Sequence, residues 1–160
     1  MPTNQVIVSH SPEETMRLAG VWSTLVEQKG AIGLTGDIGS GKTVFVKGLA
    51  VALGMEATLV TSPTFTLIHE YPGKTPLFHF DVYRMNDKND VFGIGVDEYF
   101  SKDGIVAIEW ADKVRPVFLK SYTWVEFSFV AEKSRKLKFF GYGDHSRVIR
   151  ALSEQCENAQ

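Results

Sequence analysis

The chain has 160 residues, 44% of them hydrophobic and 22% charged, with a net charge of −2. This is the composition of a soluble globular domain, long enough to bury a core without disulfide or metal staples. It excludes bulk electrostatic recruitment of nucleic acid, and the apolar runs of the sequence fall far short of the ~20 residues a membrane span needs. The opening Met1-Pro2-Thr3-Asn4-Gln5 lacks the basic start and apolar stretch of a signal peptide, so a cytoplasmic protein with no membrane or DNA partner is expected. The single cysteine, Cys156, falls in a polar tail and is expected to be a surface thiol.

Ser11-Pro12-Glu13-Glu14 predicts a helix start, with Ser11 as the cap, Pro12 at the first helical position and Glu14 completing a capping box. Leu18, Trp22, Leu25 and Val26 then share one face, and Gly30 ends the element. Ala31 to Thr35 suits a short buried strand, and Val44 to Leu53 a helix stopped by Gly54. Residues 56–64 are polar, contain a proline and predict a loop. Phe65–Tyr71 and Pro76–Tyr83, on either side of Pro72-Gly73-Lys74-Thr75, give a hairpin signal. A short helix is expected at Val96–Phe100 and a buried strand over Gly104–Glu109. Tyr122–Val130 and Leu137–Tyr142 are rich in aromatic and β-branched residues and predict an antiparallel pair. His145–Leu152 suits a last helix, with the tail from about residue 153 loose. Together with the glycine-rich G-x-x-x-x-G-K-T loop at Gly36–Thr43, these elements predict one α/β domain over residues 1–160: a three-layer fold of the P-loop NTPase type. Its sheet is mainly parallel and extended by antiparallel strands, and its ligand lies at the carboxyl ends of the parallel strands.

Between the first buried strand and its helix lies Gly36-Asp37-Ile38-Gly39-Ser40-Gly41-Lys42-Thr43, a complete G-x-x-x-x-G-K-[ST] phosphate-binding loop. Its glycines let successive backbone N–H groups curl around a β-phosphate. Lys42 reaches the β/γ oxygens, and the Thr43 hydroxyl is placed for Mg²⁺. A helix N-terminus beneath the phosphates adds its dipole. Such a loop needs an acid at the end of a neighbouring strand. Leu77-Phe78-His79-Phe80-Asp81 and Ile105-Val106-Ala107-Ile108-Glu109 both have that form, and spacing alone does not say which carboxylate touches the metal. Thr61-Ser62-Pro63-Thr64-Phe65 suits either a hydrogen-bonded turn or a switch segment whose threonine meets the γ-phosphate or Mg²⁺. His69 and His79 have no zinc-like spacing and are expected as hydrogen-bonded sheet residues. Trp110 is either core or a cover over the site. Lys133, Arg135, Lys136, Lys138, Arg147 and Arg150 form a basic cluster suited to a solvated face or to a phosphate or partner surface.

Taken in order, Gly36–Thr43, Ser62-Pro63-Thr64-Phe65, His79-Phe80-Asp81-Val82-Tyr83-Arg84, Gly95-Val96-Asp97-Glu98-Tyr99-Phe100 and Ile108-Glu109-Trp110 resemble the TsaE (YjeE) family of bacterial ATPases, from about Ser11 to about residue 140. The resemblance implies an ATP- and Mg²⁺-dependent ATPase that works with the TsaB and TsaD proteins. Together they attach threonylcarbamoyl to the tRNA adenosine beside the anticodon, so tRNA is met indirectly. It implies that Lys42 and the amides of Gly36, Asp37, Ile38, Gly39, Ser40 and Gly41 hold the phosphates. Thr43 and Glu109 would ligate Mg²⁺, with Asp81 as the second acid, and Thr64 would act in the switch. It also puts Ser11 near the adenine and Arg135 within reach of the nucleotide. Val44 departs from the family's frequent second Thr, and Ala111 from its frequent Pro. Two other classes compete. A small-molecule kinase needs an arginine-bearing lid and an acceptor pocket, for which little chain remains. A nucleotide-gated interaction module would hydrolyse only incidentally. A GTPase lacks its Asn-Lys-x-Asp motif here.

Overall fold

A computed structural model describes residues 1–61, 67–85, 93, 95–118 and 120–158. The strands are β1 (Thr3–Ser9), β2 (Gly30–Thr35), β3 (Ile68–Tyr71), β4 (Leu77–Asp81), β5 (Ile105–Glu109), β6 (Tyr122–Phe129) and β7 (Arg135–Tyr142). The helices are α1 (Pro12–Leu25), α2 (Lys42–Ala52), α3 (Val96–Phe100) and α4 (His145–Asn158). The described strands form one sheet in the order β1-β7-β6-β2-β5-β4-β3. Its centre, β6-β2-β5-β4, is parallel, while β1, β7 and β3 run antiparallel to their neighbours. This is the mixed α/β sheet expected from the sequence.

Both faces of the sheet are covered, which is why β4 and β5 are apolar runs without alternation. On one face Trp22 and Leu18 of α1, Phe45 and Leu49 of α2, and Ile149 and Leu152 of α4 close over Ile32, Leu34, Val125 and Phe139. On the other, Val96 of α3 and Ala111 and Val114 of the short helical segment Ala111–Val117 cover Phe80, Val106, Ile108 and Trp124. A buried polar chain pins the first face. Trp22 Nε1 donates to Thr123 Oγ1 at 2.9 Å, and that hydroxyl lies 2.7 Å from His145 Nδ1.

Three details differ from the sequence reading. β1 carries little sequence signal, because its only apolar run is Val6-Ile7-Val8 and its outward Val6 and Val8 are exposed, as suits an edge strand. Glu14 does not close the capping box on Ser11. Ser11 Oγ accepts the Glu14 N–H at 3.1 Å, but the Glu14 carboxylate takes the His10 N–H at 2.8 Å. The expected loose tail is helix: α4 continues to Asn158, Leu152 is buried, and Cys156 is half-buried, packed against the core. Burial there pushes the Cys156 thiol above its ordinary range.

Candidate nucleotide-binding site

The carboxyl edge of the parallel strands gathers the motif residues. β2 ends at Thr35, and the loop turns through Gly36, Gly39 and Gly41 at φ values of 147°, 79° and 112° before Lys42 opens α2. These are left-handed conformations that disfavour a side chain. At Gly36 there is no room for one either: a Cβ would lie 2.6 Å from Ser40 Oγ and 2.8 Å from the Phe127 carbonyl oxygen. Lys42 is 5% exposed, and its ammonium donates to the carbonyls of Gly36 and Asp37, at 2.5 and 2.9 Å. It also sits 4.1 Å from the Trp110 ring centre. Burial pulls the Lys42 pKa below its ordinary value, against an upward pull from Glu109, then Asp81, Asp37 and Asp112.

The two strand-end acids come side by side, since Asp81 of β4 is in register with Glu109 of β5. Glu109 is 2% exposed, and isolating a carboxylate there is costly. It is held by the Thr43 hydroxyl, which donates to its two oxygens at 2.8 and 3.1 Å, and by His79 Nε2 at 2.5 Å. Asp81 is half-buried and its Oδ1 accepts the Tyr83 N–H at 2.9 Å. Lys42, Thr43, Asp81, Arg84, Glu109 and Trp110 line a cleft of about 430 Å³ together with loop residues Ile38, Gly39 and Gly41. Trp110 therefore does both: it lines the site and packs, partly buried, against the core on the second face. It stands at φ 61°, with the Tyr83 ring centre 4.7 Å away. His79 is a hydrogen-bonded sheet residue, as its sequence suggests, and its partner is the site carboxylate. The available signal was its place two residues before Asp81, which puts both on the same face of β4.

The donor set fits a nucleotide with Mg²⁺. A hydroxyl touching a carboxylate, with a second carboxylate on the next strand, offers the hard oxygen ligands this ion prefers. No cluster of three His, Cys, Asp or Glu among the described residues would hold a metal by itself. Mg²⁺ in nucleotide sites takes one or two carboxylates and completes its shell from phosphates and water.

The other expected site residues lie apart from the cleft lining. Ser11 caps α1 at the same edge of the sheet, two residues beyond the end of β1. Ser40 is buried within the loop, while Gly36 and Asp37 border a neighbouring hollow with Arg115, Trp124 and Glu126. Arg135 stacks over Phe129 with its guanidinium carbon 4.5 Å from the ring centre, and bonds backbone carbonyls including that of Gly39. Thr64 and the Ser62–Phe65 segment lie outside the described residues. Three members of the basic cluster make separate contacts. Arg135 faces the loop, Lys136 pairs with Val8 on the sheet, and the Arg150 guanidinium reaches Thr3 Oγ1 from α4.

A phosphate loop at the carboxyl edge of this sheet, with two acids at adjoining strand ends, defines a P-loop nucleotide-binding protein. The family model for threonylcarbamoyl adenosine biosynthesis protein TsaE matches residues 9–137. Two relatives named tRNA threonylcarbamoyladenosine biosynthesis protein TsaE are similar over most of their length. The Bacillus subtilis protein is 35% identical over 87% of each chain, and that of Treponema pallidum is 37% identical over 81% of this chain and 96% of its own. The crystal structure of Bacillus subtilis YdiB superposes with a TM-score of 0.79 at 30% identity, over 97% of both chains. The chain belongs to the TsaE family, as its motifs indicated.

Proposed function

We propose that this chain is a Mg²⁺-dependent ATPase of low intrinsic rate that acts as a switch with TsaB and TsaD in threonylcarbamoyl modification of tRNA, in the cytoplasm. The observation that carries the reading is the contact between Thr43 and Glu109, made beside the Lys42 ammonium at the start of α2. Lys42 places a positive charge where β/γ oxygens would lie, and the N-terminus of α2 adds its dipole. Mg²⁺ held by Thr43 and Glu109 would neutralise phosphate charge as the γ-phosphoryl departs. His79 keeps the Glu109 carboxylate turned toward Thr43, and Asp81 is positioned to orient an attacking water. The Trp110 and Tyr83 rings wall the cleft on the acid side.

The switch reading over a metabolic kinase rests on what surrounds these groups. Arg84 is the one arginine among the described residues that line the cleft. Stabilising charge on a transferring phosphoryl group is worth roughly 10³–10⁵ in rate when an arginine is added in trans. Slow turnover that a partner accelerates is therefore the expected behaviour. Steady-state phosphate release tests it: slow alone, little changed by TsaB or TsaD singly, and faster with both. Fast turnover by the isolated chain, indifferent to both partners, would return the protein to the kinase or stand-alone ATPase class.

A further inference from the structure

A second hollow opens at the other end of the parallel strands. It encloses about 660 Å³, against about 430 Å³ for the nucleotide cleft, and lies at the amino ends of β2, β5 and β6. Both volumes fall in the range of roughly 300–1,000 Å³ that small-molecule sites occupy. The two share no lining residue. Val106 of β5 lines this hollow and Glu109 of the same strand lines the nucleotide cleft, so roughly 10 Å of strand separates them.

The floor is apolar and largely aromatic. Phe118 stands between Phe100 and Tyr122, with ring centres 5.7 and 5.1 Å away, and Val106 closes the sheet side. Ala31 explains why space is left. It is paired with Val106 across the sheet and lines the hollow with only a methyl group. Protein interiors leave few voids larger than a water molecule, so an apolar concavity of this size is the usual form of a ligand site.

The rim is basic. Lys29, Lys102 and Lys120 are exposed around it, and no Asp or Glu among the described residues lines the hollow. Lys29 is engaged by Asp103 at 2.8 Å, whereas Lys102 and Lys120 pair with no carboxylate among the described residues. The Lys102 ammonium rests 4.4 Å from the centre of the Tyr99 ring, which supports it at the rim and leaves its charge in place. A neutral apolar ligand would leave both ammoniums unanswered, and a bare inorganic anion would leave the aromatic floor uncovered. We propose that this hollow is a second binding site, for a small aromatic anion whose ring lies on Phe118 and whose carboxylate or phosphate meets Lys102 and Lys120. The proposal is independent of the nucleotide reading, because no residue of the phosphate loop takes part.

The probe is anilinonaphthalene sulfonate, an aromatic anion, beside its neutral parent anilinonaphthalene. Fluorescence titration of the full chain should show one sulfonate site whose affinity falls with added salt. Amide shifts in the nuclear magnetic resonance spectrum should move at Gly30, Gly104 and Ser121. The Lys102→Glu, Lys120→Glu double variant changes only exposed side chains. It should bind the sulfonate on the order of tenfold more weakly, the summed worth of two solvent-facing ion pairs. The neutral parent should bind wild type and double variant alike. Ala31→Leu, which fills the floor, should weaken both probes. No sulfonate binding, binding that the double variant leaves unchanged, or shifts that appear at Gly41–Thr43 instead would each overturn the proposal.

Discussion

At Gly48 the α2 backbone packs directly against that of α1, and Gly48→Ala weighs two opposed effects. An alanine in the middle of a helix is favoured over glycine by about 1 kcal/mol. Here, however, the added Cβ would stand 2.5 Å from the Met16 carbonyl oxygen, 2.6 Å from Met16 Cα and 2.9 Å from the Ala19 Cβ. The first two are backbone atoms of α1 and cannot rotate away, so the helices must separate by roughly an ångström to restore ordinary contact. Overpacking of this kind costs typically 1–3 kcal/mol, and the loss extends to the shared core of Leu18, Ala19, Val46 and Leu49. Because the clash is with backbone atoms it outweighs the propensity gain, for a net loss of up to about 2 kcal/mol. At roughly 2–4 °C per kcal/mol for a chain of this size, the melting temperature should fall by up to about 8 °C. Nucleotide affinity should fall as well, because Lys42 and Thr43 sit at the start of the displaced helix. Calorimetric melting and urea titration measure the first effect. A melting temperature raised by Gly48→Ala would show that propensity governs this position and that the close approach is not sustained.

Two further outcomes are expected. Burial chiefly holds His145 at about 4, below its ordinary 6.5, with Asp144 raising it and Arg147 lowering it. A depressed histidine leaves stability intact above pH 6.5 and removes it as pH falls toward 4, by up to about 3 kcal/mol. Relative to His145→Gln, wild type should therefore lose urea resistance across that window; parallel profiles would refute it. At the acids, Glu109→Ala should damage Mg²⁺ dependence and hydrolysis together, whereas Asp81→Asn should keep nucleotide binding and slow turnover. A Glu109→Ala protein with normal Mg²⁺-dependent turnover would reject that division, and calorimetry with phosphate-release kinetics measures both.

The parts of the fold that local chemistry dictates were legible in advance. The glycine-rich loop, the two apolar runs ending in Asp81 and Glu109, and the aromatic β6–β7 pair each declare themselves in a short window. What tertiary context decides was not. β1 shows no strong pattern because half of it faces solvent, and α4 runs past Leu152 because Leu152 and Cys156 find a core to pack on. The place of Glu109 beside Thr43 was suggested by motif order, but its second support, His79, emerges only when β4 and β5 are set in register. Likewise no window reveals that Arg135 meets Gly39, 96 residues away in sequence.

The most direct test of the account is calorimetric titration of the whole chain with ATP, with and without Mg²⁺, beside Lys42→Ala. The account predicts binding at a single site that tightens with Mg²⁺. It also predicts a loss of roughly 10–150-fold when the Lys42 ammonium is removed, the worth of hydrogen bonds to a charged group. An affinity for ATP that is the same in Lys42→Ala as in wild type would contradict it.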